Sequence, residues 1–192
     1  KMIVEHIQKS FPNDLIIGEE GFSSSEKDQG QPIAASSSNN NTGIWCIDPL
    51  DGTTNFVHNY PLVTVSIGYC TAKDGIPRVG VIYNPFLDEL YEAEEDYGAF
   101  CNETTKLQVD STCASLSNAL LVNNIGHVRQ EEFIEESTER IGRWLKGGLR
   151  GYRSSGSAAQ NMAHVASGQV SCFYEHGYGG PWDVCAGMVL VK

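Results

Sequence analysis

Asp48 and Asp51 stand three residues apart in the stretch Asp48-Pro49-Leu50-Asp51-Gly52-Thr53-Thr54-Asn55-Phe56. Pro49 fixes its own φ and biases Asp48 toward an extended backbone. Both carboxylates can then face one point, with the main-chain carbonyl of Leu50 between them. Hard oxygen donors of this kind suit Mg²⁺ or Mn²⁺. Gly52 lets the backbone approach a ligand closely, and a helix starting there would offer free N–H groups to a phosphate. Metal ligands that run directly into an anion cradle point to metal-assisted phosphoryl chemistry. Taken alone, the DxxDG pattern is also common in solvated turns. An EF-hand loop fits poorly, because the sixth position from Asp48 is Thr53 and the twelfth is Asn59, where that loop needs Gly and Glu. No GK[ST] follows, which excludes a P-loop.

The surrounding elements must place this pair and bring further donors to it. Ile44 to Ile47 is an apolar strand that ends on Asp48, and layered α/β proteins often bind ligands at the carboxyl ends of strands. Leu15-Ile16-Ile17 is a short strand that runs into Gly18-Glu19-Glu20-Gly21. Those acids are a plain turn unless Glu19 lands beside Asp48 and Asp51. Residues 23–42 are rich in Ser, Asn and Gln and read as a flexible insertion. Lys1 to Ser10 reads as the end of a helix that Pro12 stops.

Leu62 to Tyr69 alternates as a strand with one face buried. Val63, Val65, Ile67 and Tyr69 lie on one face, and Thr64, Ser66 and Gly68 on the other. Arg78 to Tyr83, Glu89 to Ala93 and Gly98 to Phe100 continue it as an antiparallel meander. Leu120 to Val122 is a further strand. Arg129 to Lys146 is an amphipathic helix with Phe133, Ile134, Ile141 and Leu145 toward the core. Its acids come early and its bases late, which complements the helix dipole. Ser154 to Ser157 precede a small-residue helix, Ala158 to Ala166, as caps or as an oxygen-binding rim. Val170 to Tyr174 is a strand ending on Glu175. Asp183 opens an apolar helix, as N-cap or as metal ligand.

A net charge of −11 argues against nucleic acid or an anionic membrane as partner. It does not argue against an anionic substrate, because a bound divalent cation inverts the local field. No apolar run is long enough to span a bilayer. The six cysteines are scattered without a CxxC pair and read as buried free thiols, hence a cytoplasmic location. The histidines show no metal-ligand spacing, so no nucleophilic or histidine-metal site is indicated.

Three motifs in order resemble one family. Gly18-Glu19-Glu20, Trp45 to Phe56 (WCIDPLDGTTNF) and Pro181 to Gly187 (PWDVCAG) are similar to the signatures of the inositol monophosphatases, and the resemblance covers nearly the whole chain apart from the Ser/Asn insertion. It implies an α/β fold of the layered αβαβα type, shared with fructose-1,6-bisphosphatase. It implies Mg²⁺-dependent, lithium-sensitive hydrolysis of inositol monophosphate, with Mn²⁺ as a possible substitute, and a homodimer at full length. Carried onto this chain, it makes Glu19, Asp48, Asp51 and Asp183 carboxylate metal ligands and gives the Leu50 carbonyl the same role. Thr53 works with Glu19 to activate water. Gly52 and Thr53 hold phosphate through their N–H groups. Gly156, Ser157 and Ala158 line the inositol ring, and Glu175 accepts hydrogen bonds from its hydroxyls. Family members extend beyond both ends, so residues 1–192 are expected to be a partial domain. The alternatives are a related phosphatase for histidinol phosphate or a fructose bisphosphate, or a non-catalytic metal- or phosphate-binding module.

Overall fold

In the computed structural model the described residues are 1–19, 43–126 and 128–192. Glu20 and the polar stretch read as an insertion lie outside them. The meander suggested by the alternating strands is present as one mixed sheet. Its strands β1 (Leu15–Gly18), β2 (Gly43–Asp51), β3 (Thr64–Thr71), β4 (Pro77–Asn84), β5 (Glu89–Glu94), β6 (Gly98–Cys101) and β7 (Thr105–Lys106) lie side by side in chain order. β1 pairs parallel with β2, and all later pairs are antiparallel. Asp14 ties the first pair together. Its carboxylate accepts the Gly43 N–H at 2.7 Å and the Trp45 indole N–H at 3.0 Å.

A second sheet holds β8 (Leu120–Asn124) between β10 (Cys172–Glu175) and β9 (Gly151–Arg153), all parallel. Between the two sheets lie α4 (Ala158–Ala166) and α5 (Pro181–Val191). Ala159, Ala163, Ala166, Ala186, Val189 and Leu190 pack there with Ile82, Tyr91 and Ala93 of the large sheet. A helix apolar on all sides, as α5 is, belongs in such an inner layer. On the outer face of the large sheet, Phe11 at the end of α1 (Met2–Ser10) packs against Trp45 with ring centroids 5.3 Å apart and the rings tilted by 42°. Outside the small sheet lies α3 (Glu131–Lys146), whose Trp144 packs with Leu121 and Tyr174. The order is the expected αβαβα sandwich.

Three local expectations change. The buried face of β3 is the polar and small one: Thr64, Ser66 and Cys70 are fully buried, whereas Val65, Ile67 and Tyr69 are half-buried. The cause is α5, which lies so close that a Cβ on Gly68 or Gly80 would strike Cys185 or Ala186. In α3, which starts at Glu131, Ile134 and Leu145 are exposed. The helix meets the sheet instead through Phe133 on His176, Trp144 on Tyr174 and the Arg140 guanidinium 4.9 Å from the Tyr174 ring centroid. A cation over an aromatic face thus takes part of the place given to aliphatic side chains. Finally, α5 begins at Pro181 with Gly180 as its N-cap, so Asp183 is the third helical residue rather than the cap itself.

Candidate active site

Backbone irregularity at the end of β2 creates the site. Up to Asp48 the strand pairs regularly with β3, Asp48 facing Ser66. The register then breaks, and Asp51 faces Thr64. Two residues, Pro49 and Leu50, are spanned by one on the partner, as in a bulge that re-aims side chains. The Asp48 carboxylate steadies the bend by accepting the Leu50 N–H at 2.9 Å. Gly52 follows with φ of 90°, a left-handed conformation that favours glycine. It turns the chain into the short helix α2 (Thr53–Val57). The Thr53 hydroxyl donates to the Leu50 carbonyl at 3.1 Å, so these two sequence-predicted groups touch each other.

Asp51 is held from several elements at once. Its Oδ2 accepts the Ser157 hydroxyl at 2.5 Å, the Ala159 N–H at 2.8 Å and the Thr64 hydroxyl at 3.2 Å. Its Oδ1 accepts the Ala158 N–H at 3.2 Å. The carboxylate therefore sits at the N-terminus of α4, where helix N–H groups lack intrahelical partners. Ser157 is itself the N-cap of α4, its hydroxyl accepting the Gln160 N–H at 3.1 Å. Asp183 reaches the same region from α5, accepting the Gly179 N–H at 2.6 Å. Glu19 follows Gly18, which pairs with Ile47, so the parallel register sets Glu19 alongside Asp48.

The electrostatics tie these acids into one cluster. Burial pushes the Asp48 carboxyl up to about 8; the Leu50 N–H opposes this, and the charges of Asp51, Glu19 and Asp183 add to it. Burial lifts Asp183 to about 6, with the Gly179 N–H opposing and Asp51 and Glu19 assisting. Glu175, at the end of β10, is lifted to about 7 by burial, against the Asn124 amide and with the charges of Asp183 and Asp51. Asp51 is also raised by burial, against its four hydrogen bonds. Such mutual repulsion in a buried place calls for a cation. The donors are all oxygen, which selects a hard divalent ion of the Mg²⁺ or Mn²⁺ class. The chemistry of these donors suits that group.

The small sheet supplies the other wall. Gly156, with φ of 87°, donates its N–H to the side-chain Oδ1 of Asn124 at 3.0 Å. Asn124 in turn donates to Glu175 at 3.1 Å. Asn55 donates to the carbonyls of Leu62 and Ser155, each at 2.7 Å, and so joins α2 to the turn before α4. Sequence reasoning missed Asn55, Thr64 and Asn124. The available signal was polar side chains set in or beside apolar strands, since a buried polar group needs a partner.

The family model described as inositol monophosphatase family matches residues 1–192. Inositol monophosphatase 2 of Solanum lycopersicum is 41% identical over 99% of this chain and 67% of its own length. The structure of inositol monophosphatase from Anabaena superposes with a TM-score of 0.80 at 38% identity, covering 98% of this chain and 68% of that one. The structure of inositol monophosphate-bound SaIMPase-II superposes with a TM-score of 0.76 at 28% identity, over 98% and 65%. The chain spans about two thirds of the length of the curated relatives it matches.

Proposed function

We propose that this chain, which belongs to the inositol monophosphatase family, hydrolyses inositol monophosphate to inositol and phosphate with Mg²⁺. The observation that carries this is the convergence of Asp48 and Asp51 of β2 with Asp183 of α5 into one mutually repelling set, the first two buried and Asp183 half-buried. The relatives' names and the inositol monophosphate-bound structure support the substrate.

In this reading Glu19, Asp48, Asp51, Asp183 and the Leu50 carbonyl hold the metal, with Mn²⁺ able to replace Mg²⁺. Bound there, the ion lowers the pKa of water and stabilises charge on the transferred phosphoryl group. Glu19 and the Thr53 hydroxyl orient the attacking water. The Gly52 and Thr53 N–H groups hold the phosphate. Gly156, Ser157 and Ala158 line the inositol ring, and Glu175 accepts from its hydroxyls. Residues 1–192 are then part of one catalytic domain that acts in a homodimer in the cytoplasm, and Li⁺ suppresses turnover. No helix among the described residues is long and apolar enough to cross a membrane.

Substrate comparison tests the assignment. Inositol 1-phosphate is hydrolysed with a higher kcat/KM than histidinol phosphate or fructose 1,6-bisphosphate. A preference for either of those two would move the assignment to another branch of the superfamily. Asn124→Ala provides a finer check. It frees both Glu175 and the Gly156 turn, so KM for inositol phosphate rises on the order of tenfold, the worth of about one hydrogen bond to a charged group, while kcat changes less. An unchanged KM would detach the small sheet from substrate recognition.

A further inference from the structure

Three thiols meet where α5 lies on the large sheet, and the phosphatase chemistry uses none of them. Cys46 of β2, Cys70 of β3 and Cys185 of α5 are all buried. Their Sγ atoms lie within 4.8 Å of one another. The closest pair is Cys70 and Cys185, with sulfurs 3.3 Å apart across the helix–sheet interface. Ile44 and Ala72 complete the cluster, with Ile17 packed against it.

Two chemistries are open to such a trio: binding of a thiophilic cation by thiolates, or formation of a disulfide. Geometry and charge decide between them. With metal–sulfur bonds of about 2.3 Å, sulfurs 3.3 Å apart would subtend an angle of roughly 90° at a bound ion, well below the tetrahedral or trigonal values thiolate sites take. Three thiolates also leave a net charge of −1 around a divalent ion and −2 around a monovalent one. The neighbours packed with the trio among the described residues are apolar. Burying uncompensated charge is strongly unfavourable. A disulfide is neutral and keeps the interface apolar.

We propose that Cys70 and Cys185 are an oxidisable dithiol site that closes to a disulfide with a peroxide as oxidant. One thiol takes up an oxygen atom from hydrogen peroxide, giving a sulfenic acid and one water. The second thiol then displaces the hydroxyl, forming the S–S bond and a second water. The sulfur pair loses two electrons and the peroxide oxygens gain them. Cys46 lies within reach of both sulfurs, so thiol–disulfide exchange can move the bond to Cys46–Cys185. Either bond ties α5 covalently to the strands beneath it. Cys185 is two residues from Asp183, and Cys46 is two residues from Asp48, so the staple fixes the helix next to the carboxylate cluster. Because the trio is sealed, oxidation waits for local opening of the interface. It is therefore slower than oxidation at the half-buried Cys101, Cys113 and Cys172.

The test is treatment of the intact, reduced protein with hydrogen peroxide under native conditions, followed by alkylation, digestion and mass spectrometry. The expected product is a Cys70–Cys185 linked peptide pair lighter by two hydrogens, reversed by dithiothreitol, and a higher melting temperature in the oxidised protein. In Cys70→Ser the link moves to Cys46–Cys185, and in the Cys46→Ser/Cys70→Ser double variant no link to Cys185 forms. Oxidation confined to Cys101, Cys113 and Cys172, or sulfinic acids at Cys70 or Cys185 without a link, would overturn the proposal. So would uptake of one equivalent of Cu⁺ by the reduced protein that Cys70→Ser abolishes, since the cluster would then be a soft-metal site.

Discussion

Asp51→Asn lowers phosphate release from inositol phosphate on the order of a thousandfold or more and leaves a folded protein. Asp51 does two things that this change separates. As an anion it completes the oxygen cluster with Asp48 and Asp183. As a hydrogen-bond acceptor it anchors Ser157 and the Ala158 and Ala159 N–H groups at the start of α4. Asn keeps one carbonyl oxygen, which can serve Ala159, Ser157 and Thr64 on the side where Oδ2 now sits. Its amide nitrogen then faces the Ala158 N–H, the longest of the bonds to that helix start at 3.2 Å. Losing that bond costs about 1–2 kcal/mol, a fraction of a typical stability of about 5–15 kcal/mol. On the proposed reading, losing the charge removes a metal ligand outright. Turnover at saturating Mg²⁺ and the melting temperature, measured side by side, check this. Near-normal release would remove Asp51 from the metal site, and wholesale unfolding would make its role chiefly structural.

The metal-free protein loses stability steadily as pH rises from about 4 to about 8. The sign follows from the carboxyls whose folded pKa values lie above their unfolded ones: Asp48 from 3.8 to about 8, Glu175 from 4.5 to about 7 and Asp183 from 3.8 to about 6. Between each pair of values the folded chain holds a proton that the unfolded chain has released. The associated stability is complete below the unfolded value and is lost as pH climbs through the folded one. A tenfold difference in proton affinity between the two states is worth about 1.4 kcal/mol, so Asp48, with the widest separation of the three, contributes most to the trend. Mg²⁺ reverses the trend, because it binds the ionised ligands and its stabilisation grows with pH. Thermal melts in EDTA and in Mg²⁺ across this range read both effects. A melting temperature that ignores pH in EDTA, or a Mg²⁺ increment equal at pH 5 and pH 8, would contradict the picture of buried, mutually repelling acids.

The parts of the site carried by neighbouring residues were legible in the sequence. Pro49 and Gly52 signal an extended Asp48 with two carboxylates facing one point and a close backbone approach, each through its own backbone preference; the bulge and the left-handed turn at Gly52 emerge only in the fold. The parallel strand ending at Gly18 brings Glu19 alongside Asp48, the condition under which the acids after that short apolar run are more than a plain turn. The meander and the small-residue α4 were equally local in their signals. The unread parts depend on what a distant element does. Nothing in Thr64 to Cys70 reveals that the small face is buried, because α5 decides it from more than a hundred residues away. Asn55 and Asn124 look like ordinary polar positions until the turn at Gly156 arrives between them. The rotation of α3 depends on Tyr174 and His176, aromatic rings that only the folded small sheet puts in its path. The three cysteines share no spacing, and only the packing of α5 on β2 and β3 gathers them.

The most direct measurement is phosphate release from inositol 1-phosphate by the intact protein, in EDTA, in Mg²⁺, and in Mg²⁺ with added Li⁺. The expected result is release that requires Mg²⁺ and falls when Li⁺ is added. Release that persists in EDTA, or none in Mg²⁺ from a protein shown to be folded, would contradict the reading of Asp48, Asp51 and Asp183 as the metal centre of a phosphatase.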